Sequence, residues 1–176
     1  MIGTGLAVIL WYFTELSESL EPYLVVLNSL PKSALAPLLI VWLGANQKSI
    51  IVSGMSVAIF GTVLNLFTGF QEVDPDKIRL IYTFGGTKRN VLTKVVLPGT
   101  LPLLLSVMKV NIGLCLVGVV IGEFIGARQG LGYLIIYGSQ VFRLDHVIMS
   151  ICVLCVIAVL LYRILGIAEK ICRRRR

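Results

Sequence analysis

DPDKIRLIYTFGGTKRNVLTKVVLPGTLP, residues 74–102, decides the reading of this chain. The stretch is polar and basic, yet it lies between two segments apolar enough to cross a bilayer. Asp74-Pro75-Asp76 is a helix start: an aspartate accepts from orphan amides, proline suits the first turn, and early acids suit the positive helix end. Ile78, Ile81, Tyr82 and Phe84 make an apolar stripe that runs into Gly85-Gly86, where a sharp turn is predicted. A second amphipathic run follows, with Val91, Leu92, Val95 and Val96 apolar and Lys88, Arg89 and Lys94 basic. Leu97-Pro98 is expected to end that run at the membrane. A compact charged insert between two spans, here residues 71–98, points to contact with something in the water.

Working outward, the rest of the chain reads as a membrane protein. Of its 176 residues 57% are hydrophobic and 14% charged, with mean hydropathy +0.92; a soluble domain carries about a quarter charged residues. Apolar runs cover residues 23–44, 49–70, 99–122 and 147–167, each near the roughly 20 residues a span needs. Residues 2–13 are apolar but too short, and read as the remnant of a further span, so the chain is expected to be truncated at its N-terminus. Residues 14–22, with Glu15, Glu18 and Glu21, read as a polar connector, and 44–48 as a short polar turn. Pro31 and Pro37 are expected to kink or split the run 23–44. Residues 130–142 suggest a short re-entrant or interfacial helix, with Tyr133 and Tyr137 suited to the headgroup level. Lipid leaves backbone groups no partner outside their own helix, and the alternating ten-residue strands of a barrel are missing. The expected fold class is therefore an all-α, polytopic helical bundle, one transmembrane domain over residues 1–176.

The net charge of +7 is distributed as a topology signal, not as a nucleic-acid face, since no basic surface interleaved with aromatics occurs. Basic residues gather in the insert (Lys77, Arg79, Lys88, Arg89, Lys94) and the tail (Arg163, Lys170, Arg173–Arg176). The alternate segments hold Lys48, Arg128 and Arg143. Eleven against three places the insert and the C-terminus in the cytoplasm. Cys152 and Cys155 form a C-x-x-C, but no second ligand pair accompanies them. They read as small residues one turn apart in a lipid-embedded helix.

The insert resembles the cytoplasmic loop of permease subunits of binding-protein-dependent ABC importers. That family carries E-A-A, three residues, Gly, nine residues, Ile, one residue, Leu-Pro. Here Gly85 takes the glycine position, Val95 the isoleucine position and Leu97-Pro98 the terminal pair. The E-A-A positions fall on Arg79, Leu80 and Ile81, so a base replaces the acid. The flanking D-P-D, F-G-G and K-V-V-L-P-G are similar to the branch importing nitrate, taurine and aliphatic sulfonates. Looser likeness extends to L-P-K-S-A-L-A-P-L-L-I-V-W-L-G at 30–44 and G-L-G-Y-L-I at 130–135. The resemblance implies the type I ABC importer permease fold. It also implies a coupling helix that docks in a groove on a separate ATPase subunit. Arg79, Gly85, Gly86, Lys88, Arg89, Leu97 and Pro98 would then be its coupling residues, Gly85 allowing close approach and Pro98 forming a rigid joint.

Lys109 and Asn111 interrupt the run 99–122, and an intramembrane charge often faces a pore. Lys109 can equally snorkel or pair with a carboxylate. Glu123 follows Gly122 at the outer end of the run, where it would help gate a pore, hold the outer loop, or pair with Arg128 or Arg143. No G-x-x-x-x-G-K-[ST] occurs, so this chain is expected to bind no cofactor and to leave ATP to partner subunits. H-E-x-x-H and a nucleophile elbow are missing as well, so enzyme chemistry is not expected. The expected partners are a second permease copy or homologue, two ATP-binding subunits, an extracytoplasmic substrate-binding protein and the bilayer, with no nucleic acid. The expected place is the plasma (inner) membrane of a prokaryote, and the expected cargo a small oxyanion or sulfonate. Two rival readings are a non-transporting scaffold that recruits a soluble partner through residues 74–98, and a secondary transporter.

Overall fold

The computed structural model describes Ile2–Arg174, so Arg175 and Arg176 of the basic tail lie outside the described residues. The elements are α1 (Ile2–Tyr12), α2 (Thr14–Ser29), α3 (Lys32–Leu43), α4 (Gln47–Gln71), α5 (Pro75–Thr83), α6 (Lys88–Val91), a π-helical turn (Leu92–Val96), α7 (Leu97–Gly126), α8 (Leu131–Gln140) and α9 (Leu144–Arg174). No strand occurs among the described residues. Among the described residues three stretches are long and apolar enough to span, Gln47–Gln71, Lys88–Gly126 and Leu144–Ile167, and the bent pair Thr14–Ser29 with Ala34–Leu43 makes a fourth if it is one broken span. Contacts cluster into two compact units. The first gathers the chain up to Ser29 with Ile59–Met108, and the second Leu30–Ala58 with Lys109 onward.

In the first unit, Val63, Leu66, Phe67 and Phe70 of α4 pack with Ala7 and Leu10 of α1, with Val91, Leu92 and Val96, and with Val107. Residues 14–22 are not a connector. They open α2, and the helical ladder crosses Phe13 through Phe13 N–H to Ile9 C=O (3.0 Å) and Ser17 N–H to Phe13 C=O (3.1 Å). The three glutamates lie on exposed positions of that helix. Glutamate is a good helix former, and Glu15 sits in the first turn, where an acid is favoured. Pro22 is tolerated inside α2.

In the second unit, the break predicted at the prolines falls at Pro31, whose extended backbone (φ −64°, ψ 105°) precedes α3. Pro37 stays within α3. Gly44 (φ 80°) ends α3, and Asn46 caps α4 by accepting from the Lys48 and Ser49 amides (2.9 and 3.2 Å). The α4 and α7 backbones touch at small residues: the buried Ser53 hydroxyl donates to Gly118 C=O at 3.2 Å. A Cβ on Gly118 would lie 2.7 Å from Gly54 Cα. The expected helix within 130–142 is α8, with Tyr133 and Tyr137 stacked 5.8 Å apart. Two residues beyond its end, Phe142 holds φ 56° and is 89% exposed. Along α9 only 6% of the most apolar stretch is buried, leaving its faces to lipid or other helices.

Candidate functional site

The candidate site is the elbow formed by α5, the turn after it, α6 and the π-helical turn, all in the first unit. Asp74 accepts from the Asp76 amide at 2.9 Å, with Pro75 in the first turn, so the predicted cap forms. Arg79 reaches back to Asp76 at 3.6 Å on an exposed face. Such a pair contributes little. The apolar residues of α5 differ in burial. Ile78 and Ile81 pack on the core, while Leu80, Tyr82 and the C-cap residue Phe84 are 55%, 49% and 80% exposed. Leu80 was not part of the stripe read from sequence, and Phe84 and Tyr82 leave it.

The turn satisfies the end of α5 in both strands of a Schellman motif. Gly86 N–H bonds to Ile81 C=O and Gly85 N–H to Tyr82 C=O, each at 2.9 Å. Gly85 holds φ 74°, and a Cβ built there meets nothing within 4 Å. Within this chain its glycine is a backbone requirement. The steric requirement falls on Gly86, whose Cβ would sit 2.4 Å from the Ile81 side chain and 2.7 Å from its carbonyl oxygen.

Lys88 turns inward. Its Nζ donates to Tyr12 C=O at 2.7 Å, the last carbonyl of α1, and lies 3.4 Å from Thr14 Oγ1. It also sits over the Trp11 and Tyr12 rings at 5.6 and 5.5 Å. A cation at a helix C-terminus complements the orphan carbonyls and the negative end of the dipole. Arg89 remains exposed.

Leu97-Pro98 does not end a helix: Lys88–Gly126 runs on as 39 residues. Proline lacks an amide and its ring clashes with the carbonyl four residues back. The π-helical turn precedes it and loosens that contact, with Leu97 N–H bonded five residues back to Leu92 C=O. The same turn explains the burial pattern. Val91 and Val96 are both fully buried, yet in a straight α-helix residues five apart lie about 140° apart. The extra residue in the turn brings Val96 back to the face of Val91. Val107, eleven residues further on, then falls within about 20° of Val96 and is buried too. The Thr100 hydroxyl donates to Val96 C=O at 2.8 Å beside this change of register.

The other three candidate residues, all in the second unit, are not brought together. Lys109 is ion-paired with Glu169 of α9, and the Tyr162 ring lies 5.5 Å from its Nζ. Glu169 stands two residues past the apolar run ending at Ile167, so Lys109 is level with that end. Glu123 lies fourteen residues, about 21 Å, further along α7. Its carboxylate accepts from Gly132 N–H at 2.7 Å, at the N-terminus of α8. A Cβ on Gly130 or Gly132 would sit within 2.6 or 2.9 Å of Glu123, so the G-L-G pattern leaves room for this carboxylate. Asn111 is half-buried on α7. A cleft of about 700 Å³ opens beside Glu123, lined by Asn46, Gln47, Arg128, Gln129 and Gly130 among others.

Comparison with known proteins covers nearly the whole chain. Residues 1–174 match the family described as the binding-protein-dependent transport system inner membrane component. A probable ABC transporter permease protein of Haemophilus influenzae is 30% identical over 92% of this chain and 66% of its own length. The formylaminopyrimidine transport permease protein ThiX of Halalkalibacterium halodurans is 29% identical over 76% of this chain and 53% of its own. The taurine transport system permease protein TauC of Escherichia coli is 31% identical over 81% and 52%. The chain thus spans about half to two thirds of the length of these relatives.

Proposed function

This chain belongs to the binding-protein-dependent transport system inner membrane component family, a family of polytopic helical membrane proteins, and on that premise we propose that it is the membrane subunit of an ABC importer. The observation that carries the reading is the elbow. A polar helix exposes Leu80, Tyr82 and Phe84 to the water, and no loop intervenes between Lys88 and the apolar helix that follows. An apolar knob on a solvated insert suits a groove on a soluble partner, and a continuous helix passes on whatever displacement that partner imposes. The partner is an ATP-binding subunit, two copies of which drive alternating access by stabilising one conformer over the other. A second permease copy or homologue completes the path, and an extracytoplasmic binding protein delivers the solute. The elbow and the C-terminus face the cytoplasm of a prokaryotic cell, in keeping with the distribution of lysine and arginine.

The proposed cargo is a small oxyanion or sulfonate, supported by the likeness to the taurine permease. The likeness to a formylaminopyrimidine permease makes that heterocycle the competitor to include in an uptake panel. The test of the reading is co-purification of the full-length chain with its ATPase. Phe84→Asp and Gly85→Trp should both abolish association and substrate-stimulated ATP hydrolysis. Retention of both properties in both variants, or uptake that follows an ion gradient without the ATPase, overturns it.

A further inference from the structure

The second unit holds a cationic cavity of about 500 Å³ where α7 meets the end of α9. Lys109, Tyr162, Arg163, Gly166, Glu169 and Lys170 line it. Three cations face one carboxylate, and that carboxylate is spent on Lys109. Among the described residues neither Arg163 nor Lys170 has an ion-pair partner. Arg163 stands four residues before the end of the apolar run at Ile167 and Lys170 three residues beyond it, so the two bracket the end of a span of that length, where headgroups are expected. A second, apolar groove of about 290 Å³ adjoins the cavity through Arg163 and is otherwise lined by Cys155, Val156, Val159 and Leu160. Val156, Leu160, Arg163, Ile167 and Lys170 recur at helical spacing, so groove and cavity lie along one stripe of α9. The groove is on the bilayer side of Arg163 and the cavity on the water side.

We propose that this stripe binds one anionic phospholipid, its phosphate between Arg163 and Lys170 and an acyl chain in the groove. A free phosphate would use the cations, but it would leave the apolar groove without purpose. Gly166 is consistent with an occupant: a Cβ there meets no atom within 4 Å, so nothing in the protein requires the glycine sterically, and its bareness keeps the cavity open. The Lys109–Glu169 pair forms the wall, holding one cation in place without offering it to the ligand alone. Anionic lipid is enriched at cytoplasmic surfaces, where each basic residue adds about fivefold to binding.

The test is native mass spectrometry of the full-length chain in detergent, titrated with phosphatidylglycerol, phosphatidylcholine of the same acyl chains, and inorganic phosphate. Phosphatidylglycerol should be retained roughly thirtyfold better than phosphatidylcholine, two cations acting together. Millimolar phosphate should not displace it. Arg163→Gln with Lys170→Gln should bring it down to the phosphatidylcholine level. Gly166→Leu fills the cavity without changing any charge and should do the same, with no loss of thermal stability. That variant separates the cavity from general attraction to the arginine-rich C-terminus. Equal retention of the two lipids, displacement by phosphate, or full retention in Gly166→Leu overturns the proposal.

Discussion

Replacing Lys88 by methionine keeps the aliphatic stem and removes the charge that closes α1. The structure gives the terms of the loss. One charge-assisted hydrogen bond to Tyr12 C=O at 2.7 Å is worth about 1.5–3 kcal/mol when well shielded. The cation at a helix C-terminus adds about 0.3–1, and the two rings at 5.5 and 5.6 Å about 0.5–1. Tyr12 is exposed and Lys88 only half-buried, and the contributions share one ammonium, so they do not add. About 1–2 kcal/mol remains, a 5- to 30-fold change in the opening equilibrium of the α1–α2 junction. Hydrogen exchange on the full-length chain, followed over residues 8–17, reads that ratio as lost protection. Lys88→Arg should stay within a few-fold of the wild type, because a guanidinium also donates to the carbonyl. Unchanged protection in Lys88→Met, or an equal loss in Lys88→Arg, refutes the capping argument.

Gly85→Ala should cost about 1 kcal/mol, the left-handed penalty alone, since its Cβ meets nothing, whereas Gly86→Ala should cost distinctly more because its Cβ strikes Ile81; thermal melting in detergent compares the two. Phe142→Gly should stabilise by about 1 kcal/mol, because an exposed aromatic there holds φ 56° for no contact its burial reveals; a lower melting temperature would mean that the ring is held by something outside this chain. Glu123→Ala should fray α8 and raise amide exchange at Gly132 and its neighbours about tenfold, while Glu123→Gln keeps an acceptor and loses less; equal exchange in both would remove the carboxylate from the holding of α8.

The elbow was legible because its signals are local. An aspartate, a proline and two glycines specify a start and a stop through their own backbone chemistry, and α5 and its Schellman turn follow them. The long spans were legible for a similar reason, since apolar runs of that length have few uses. Residues 14–22 were misread because glutamates on the exposed face of a helix look, in sequence, like glutamates in a loop. Pro98 was misread because a π-helical turn has no residue of its own. Its trace was the apolar pair Val91 and Val96, five apart, which fits no α-helical face. The roles of Lys88 and Glu123 were hidden for another reason: their partners are backbone groups, the Tyr12 carbonyl and the Gly132 amide, which carry no side-chain signature. Lys109 had its pairing option stated, but the partner, Glu169, is sixty residues away.

The widened turn at Leu92–Val96 makes the helix through it tolerant of one change in length. A residue added to or taken from an ordinary α-helix swings everything beyond it by about 100° around the axis. Here a spare residue is already absorbed, so removing one from the turn restores regular winding and leaves distant side chains pointing as before. Deletion of the exposed Thr93 would draw the elbow about 1.5 Å closer along the axis while Val107 stays inside. A cysteine placed at 107 in a chain whose native cysteines are replaced by serine or alanine, and probed with a thiol reagent, distinguishes the outcomes, since labelling after the deletion would mean that the winding had shifted.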